Sequence, residues 1–123
     1  MPSPTVVIAQ NDPCIAQELA NSLSAHFARV TMAKNAMELH TMLLRNEARV
    51  AVLDLELVTL VEVNTLARTF EDLVVVCTHR SPDERMWMAA LKSGAVEFCH
   101  PEDLRSILRA ARTGAKQRLV PAA

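Results

Sequence analysis

Three continuous apolar runs dominate the pattern of hydrophobic and polar positions along the chain. They cover residues 6–9, 50–53 and 73–77, and none of them alternates apolar with polar residues. Uninterrupted runs of this length are typical of strands that are buried on both faces, as in a parallel sheet. Two weaker runs, at residues 29–32 and 96–99, complete five predicted strands.

The segments between these strands carry apolar residues at helical spacing. Asp12 suits the N-cap of the first helix, and Pro13 suits its first position. Ser81 and Glu84 are predicted to form a capping box at the start of the fourth helix, and Gly94 to follow its end. The third segment also allows an irregular turn. The predicted helices cover about residues 13–27, 35 onward, 61–70, 81–93 and 101–113.

Strands that alternate with helices predict βαβ units with right-handed crossovers and helices on both faces of the sheet. We therefore expect one three-layer α/β/α domain over residues 1–123, with a core at about 5–113 and a tail or the start of a linker at 114–123. In such open sheets the site lies at the carboxyl ends of the strands. The polar residues predicted at these ends are Gln10, Asn11, Asp12, Asp54, Thr78, His79 and His100.

Composition narrows the class of protein. The net charge is −1, and no Lys/Arg cluster interleaves with aromatic residues, which argues against direct nucleic-acid binding. Two glycines leave no glycine-rich phosphate loop. Three cysteines without paired spacing, and no signal-peptide pattern, predict a reducing cytoplasm. No apolar window has the length that a membrane span needs.

Five segments follow one another in an order that resembles a known family. Residues 50–54 (VAVLD) end in Asp54, residues 74–78 (VVVCT) end in Thr78, and residues 90–95 (ALKSGA) precede Phe98. Pro101 and residues 5–13 (TVVIAQNDP) complete the set. Over nearly the whole chain, this series resembles the receiver domain of two-component response regulators.

The resemblance implies a flavodoxin-like, doubly wound sheet of order 2-1-3-4-5, and a signalling domain that is not an enzyme. It identifies Asp54 with the phosphoacceptor, Thr78 with the switch hydroxyl and His100 with the position of the family's lysine. In an active member, an acidic pair, the acceptor and a nearby carbonyl hold Mg²⁺. Phosphoryl transfer needs that cation and a fixed positive charge because negative charge develops on the phosphoryl oxygens.

This chain departs from the family pattern in several places. Gln10 and Asn11 stand where the acidic pair is expected, and uncharged amides hold Mg²⁺ less tightly than carboxylates. His100 replaces the lysine, and the segment leading to it is one residue short. His79 brings a bulky ring next to Thr78, and the interval between the acceptor and the switch residue is shortened. The sequence predicts a weak or absent Mg²⁺ site, with Asn11, Asp12, Asp54 and Glu56, the last through its backbone carbonyl, as candidate ligands.

Each candidate residue also has a plainer structural interpretation. Asp54 could cap a turn, Asp12 could only cap the first helix, and Glu56 could be a solvated loop carboxylate. Thr78 could be a β-branched residue at a strand end and nothing more. Gln10 and Asn11 could hydrogen-bond Asp54 and His100 in a neutral pocket without metal. His79, Cys99 and His100 suggest a different metal site, which no recognised ligand spacing supports.

The fourth predicted helix carries Met86, Trp87 and Met88 in succession, and three consecutive residues cannot all face inward. At least one is expected to be exposed. By the resemblance, helix 4, strand 5 and helix 5 form a dimer or output surface. We expect an atypical pseudo-receiver that contacts a histidine kinase, an output domain or a second copy. An active Mg²⁺-dependent phosphoacceptor and a flavodoxin-like nucleotide- or flavin-binding domain remain the alternatives.

Overall fold

The computed structural model describes residues 5–46 and 48–119. Strands and helices alternate from the first element to the last. The strands are β1 (Thr5–Ala9), β2 (Arg29–Ala33), β3 (Val50–Asp54), β4 (Val74–Thr78) and β5 (Glu97–Cys99). The helices are α1 (Pro13–Leu23), α2 (Ala36–Asn46), α3 (Leu60–Thr69), α4 (Glu84–Lys92) and α5 (Leu104–Leu119).

The strands form one parallel sheet of order β2-β1-β3-β4-β5, which confirms the predicted fold class and strand order. Every residue of β3 and β4 is buried, so their side chains pack against helices on both faces of the sheet. This two-sided burial explains why the apolar runs are continuous and do not alternate. Asp54 and Thr78 pair in register at the carboxyl ends of these two strands.

Two apolar cores lie on opposite faces of the sheet. Ile8 of β1 packs on one face with Leu23 of α1 and Ile107 of α5. Val7, the preceding residue, packs on the other face with residues of α2, α3 and α4, such as Leu39. The alternation of neighbouring side chains between two cores is what a buried strand requires. Within the described part of the chain, no helix combines the length and apolar character needed to cross a membrane.

Local side-chain contacts decide where the helices begin. Asp12 caps α1 as predicted, because its Oδ1 accepts hydrogen bonds from the N–H groups of Cys14 (2.8 Å) and Ile15 (3.3 Å). The predicted capping box at Ser81 is wrong. Asp83 caps α4 instead, accepting from the N–H of Met86 at 2.8 Å. The N–H of Ser81 donates to the imidazole of His79, so Ser81 belongs to the preceding turn.

The structure also corrects or settles the extent of other predicted helices. α1 stops at Leu23, and the chain turns there while Phe27 remains buried. The irregular turn considered for the third segment is a regular helix, α3, which Thr59 and Glu62 start with a capping box. α5 begins at Leu104 and continues to Leu119, beyond the predicted end near 113. Residues 120–123 of the predicted tail lie outside the described residues.

Candidate functional site

A polar cavity of about 260 Å³ opens at the carboxyl ends of β1 and β3. β1 lies between β2 and β3, so this is the point where the chain switches the direction in which strands are added. Ligand sites of open parallel sheets form at such switch points. Seven residues line the cavity: Gln10, Asn11, Asp12, Pro13, Asp54, Glu56 and Arg80.

Asp54 lies at the base of this site and is 2% exposed. Its Oδ2 accepts a hydrogen bond from the backbone N–H of Asn11 at 3.0 Å, and its Oδ1 accepts one from the N–H of Glu56 at 2.9 Å. Two charge-assisted bonds partly replace the water that burial removes from the carboxylate. Asp54 thereby joins the β1–α1 loop to the β3–α3 loop.

The two amide residues act in different ways. Gln10 Oε1 accepts from the backbone N–H of Asp12 at 3.2 Å and so braces its own loop. Asn11 is exposed, and its bond to Asp54 comes from its backbone, so any residue except proline could supply that donor. The hydrogen bond expected between this pair and Asp54 is therefore present, but it does not use an amide side chain.

Thr78 is fully buried at the end of β4, directly across from Asp54 in the strand register. Its backbone carbonyl accepts from the N–H of Leu55 at 2.9 Å. Among the described residues, no partner satisfies the Thr78 hydroxyl. An unpaired buried hydroxyl lowers the free energy of unfolding. This one belongs to the residue that pairs with Asp54 across the two strands.

His79 and His100 do not belong to the cavity lining among the described residues. The Nδ1 atom of His100 accepts from the N–H of Glu102 at 3.0 Å, which ties the ring to the turn before α5. His79 is tied in the same way to Ser81, and its Nε2 lies 3.7 Å from Oε1 of Glu56. His100 is therefore held by the turn before α5 and does not line the described cavity.

Arg80 is the functional candidate that the sequence predictions missed. Its Nε and Nη2 atoms donate hydrogen bonds to Oε1 and Oε2 of Glu56 at 2.9 and 2.8 Å, which makes the pair bidentate. The hydrogen bond from Arg80 is the main cause that lowers the pKa of Glu56. The pKa of Arg80 is raised, chiefly by the same hydrogen bond and charge. The negative charges of Asp12 and Asp54 raise it further.

The sequence did contain a signal for this pair. Glu56 follows Asp54 by two residues, and Arg80 follows Thr78 by two residues. Since Asp54 and Thr78 pair in register, equal offsets bring opposite charges to the same side of the cavity. A prediction of the strand register would have placed the two loops side by side, but not the orientation of these side chains.

The donor set does not fit the magnesium ion that the resemblance implies. Asp12, Asp54 and Glu56 line one cavity, yet within the described ranges no three His, Cys, Asp or Glu side chains form a group able to hold a metal. Each of the three carboxylates already has a partner: the N-terminus of α1, two loop amides and Arg80 respectively. Mg²⁺ needs several oxygen ligands in near-octahedral geometry. The same observation gives no support to a site at His79, Cys99 and His100.

The predicted contact surface on α4 is partly exposed. Trp87 is 44% exposed and Met88 is 48% exposed, whereas Met86 packs against the core. This confirms that the three residues cannot all face inward. An apolar groove of about 450 Å³ between α2 and α3 was not predicted from the sequence. The exposed Met37 lies on its α2 side.

No family model and no curated protein matches the sequence. Solved structures do match. The Salmonella typhimurium response regulator RcsB aligns with a TM-score of 0.79 at 20% identity, over 93% of this chain and 62% of that one. The receiver domain of NarL from Mycobacterium tuberculosis aligns with a TM-score of 0.78 at 20% identity, over 94% and 98%.

A response regulator from Burkholderia pseudomallei, solved with a phosphorylated aspartic acid, a calcium ion and citrate, aligns with a TM-score of 0.80. The identity is 21%, and the alignment covers 93% of this chain and 69% of that chain. The chain thus spans 62% of RcsB and nearly all of the NarL receiver domain. The chain has the fold of the response regulator receiver domain.

Proposed function

We propose that this chain is an atypical receiver module of two-component-type signalling, which acts through protein–protein contact and not through Mg²⁺-assisted phosphorylation. The observation that carries the proposal is the environment of Asp54. The residue stands at the acceptor position of the fold, but its cavity holds two amide residues and an arginine paired to Glu56. A receiver of this kind keeps the scaffold and lacks the switch chemistry.

The argument against an active phosphoacceptor is electrostatic. A phosphoryl group in transfer needs a divalent ion and a free positive charge aimed at its oxygens. The guanidinium of Arg80 is committed to Glu56, and His100 is committed to the turn before α5. Gln10 and Asn11 bring no charge that would attract a metal ion. The elements that lower the barrier in an active receiver are thus replaced or engaged elsewhere.

The contact surface is best supported on α4. An exposed tryptophan beside an exposed methionine is typical of interface anchors, because large apolar side chains gain most from desolvation at an interface. Trp87 and Met88 lie on the face that receivers use for output, by the resemblance to that family. The partner we propose is a kinase or output domain of the cytoplasm, or a second copy of this chain.

The flavodoxin-like alternative gains no support from the site. The cavity at the strand ends measures about 260 Å³, below the usual ~300–1,000 Å³ of small-molecule sites. Its lining is polar, and the chain has two glycines, of which only Gly94 adopts a positive φ among the described residues. In this cavity a nucleotide or flavin would find neither an apolar slot nor a phosphate-binding loop.

Amide NMR during a titration with beryllofluoride and Mg²⁺ tests the proposal, with Asp54→Asn as the matched control. We expect neither protein to show shifts around Asp54, Thr78 and α4 at millimolar Mg²⁺. Shifts in the wild type that are absent in Asp54→Asn would show a working acceptor and overturn the proposal.

Light scattering over a range of protein concentrations tests the contact surface. If the partner is a second copy, the wild type forms a dimer that Trp87→Ala weakens. Met37→Ala removes a side chain that is 81% exposed on α2 and serves as the control. A dimer that is insensitive to Trp87→Ala would place the contact elsewhere, and a monomer at all concentrations would exclude the second copy as partner.

A further inference from the structure

We infer that Arg80 is the resident cation of the Asp54 cavity, which takes the charge role of a divalent ion and excludes Mg²⁺ while it is in place. This inference rests on the proposed function, because it treats the cavity as a receiver-type site. It adds the residue responsible for the loss of metal binding, which the replacement of the acidic pair alone does not identify.

The position of Arg80 is the first support. It follows β4 by two residues, lines the cavity with Asp54, and is held there by both oxygens of Glu56. The Arg80 side chain is 59% exposed, so the guanidinium approaches the cavity from its open side. A bidentate arginine–carboxylate pair fixes the planar guanidinium in one orientation, which a single hydrogen bond would not do.

The charges around the guanidinium are the second support. Asp12 and Asp54 line the same cavity as Arg80, although Arg80 donates its hydrogen bonds to Glu56. The arginine therefore serves the whole acidic cavity and not Glu56 alone. A divalent ion bound at Asp54 would share the cavity with this positive charge, and like charges repel.

Competition for ligands is the third support. A metal ion that used the carboxylate of Glu56 would have to displace two charge-assisted hydrogen bonds, each below 3.0 Å. Mg²⁺ dehydrates reluctantly and takes few protein ligands when they are not preorganised. Gln10 and Asn11 line the cavity but add no negative charge that would compensate for that displacement.

The simplest rival is an exposed ion pair without influence on the cavity, as many surface pairs are. Titration of Mn²⁺, followed by paramagnetic broadening of amide NMR signals, separates the two. We expect the wild type to show no site-specific broadening. Arg80→Ala should gain divalent affinity of about tenfold or more, with loss of the Asn11 and Glu56 signals. Mg²⁺ should compete with Mn²⁺ in this variant and restore those signals.

Arg85→Ala is the matched control, since Arg85 is an exposed arginine of α4 outside the cavity lining and its loss changes the net charge equally. Arg80→Gln removes the charge but keeps a polar side chain, and serves if the alanine variant fails to fold. Equal Mn²⁺ behaviour of the Arg80 and Arg85 variants would overturn the inference and leave the proposed function standing. Uptake of beryllofluoride by the wild type without any metal would overturn the proposed function and leave Arg80 as the cavity's cation.

Discussion

Thr78 and Asp54 face each other in register at the ends of β4 and β3, yet the Thr78 hydroxyl has no hydrogen-bond partner among the described residues. The side chain is fully buried, so the hydroxyl has lost its water without receiving a substitute. Thr78→Val keeps the shape and removes the unpaired group. We expect the free energy of unfolding to rise by about 1 kcal/mol, measured by urea denaturation.

Thr78→Ser is the companion variant, because it keeps the hydroxyl and deletes the methyl group. It should destabilise the chain by about 1 kcal/mol through lost apolar burial. A Thr78→Val variant less stable than the wild type would mean that the hydroxyl is paired in solution.

The pair of Glu56 and Arg80 makes stability depend on pH in the acid range. The hydrogen bond from Arg80 lowers the pKa of Glu56 below its ordinary value of 4.5, so the folded state favours the charged carboxylate. This contribution is fully present above pH 4.5 and is lost as pH falls through the lowered pKa of the folded state.

Glu56→Gln isolates this contribution, because Asp103, whose pKa is also lowered, titrates in both proteins. The difference in unfolding free energy between wild type and Glu56→Gln should favour the wild type at neutral pH and shrink towards pH 3. Denaturation curves at a series of pH values measure it. A difference that stays constant with pH would mean that Glu56 is not paired in solution.

Gly94 ends α4 at a φ of +115°, where a side chain is strained. A β-carbon at this position would also lie 2.6 Å from the β-carbon of Ala67. Gly94→Ala should therefore cost about 2 kcal/mol or more in unfolding free energy. In the double variant Gly94→Ala/Ala67→Gly the close contact is removed but the strained φ remains. Thermal denaturation should show a double variant that is more stable than the sum of the two single effects predicts.

The three cysteines should differ sharply in reactivity. Cys14 is exposed, whereas burial raises the pKa of Cys77 and of Cys99 to about 12. Because the thiolate is the reactive form, only Cys14 should react quickly with Ellman's reagent at pH 8 in the folded protein. Cys14→Ser should abolish that reaction, and urea should release the other two thiols. A second fast thiol in the folded Cys14→Ser variant would contradict the buried positions.

The predictions that succeeded rest on short-range or strongly repeated signals. Continuous apolar runs marked β1, β3 and β4, since two-sided burial leaves no room for polar alternation, and weaker runs marked β2 and β5. The cap at Asp12 is a contact over two or three residues, which the sequence displays directly. The strand order came from the family resemblance, because apolar runs of similar composition do not specify their own neighbours.

The predictions that failed, and the contacts that were not predicted, depend on competition between neighbouring hydrogen-bonding groups or on residues far apart in the sequence. At Ser81 the capping pattern was present, but the ring of His79 accepts the Ser81 N–H and Asp83 takes the cap. The assignment of His100 to the lysine position stays a prediction, because a motif does not show which way a ring points; in the structure this ring accepts the N–H of Glu102. The role of Arg80 depends on a residue 24 positions away, which no local pattern reveals.

Asp54 accepts hydrogen bonds from the backbone N–H groups of two loops, so this aspartate has a structural role besides any chemical one. The carboxylate links the two loops. Without it, the N–H groups of Asn11 and Glu56 lose their acceptor, and each loop loses this contact with Asp54. A chain that acts as proposed, without phosphorylation, would therefore still use the carboxylate of Asp54 to hold these two loops together. The presence of an aspartate at this position is therefore weak evidence that a receiver is phosphorylated. The neighbouring Arg80 is the more informative residue for that question.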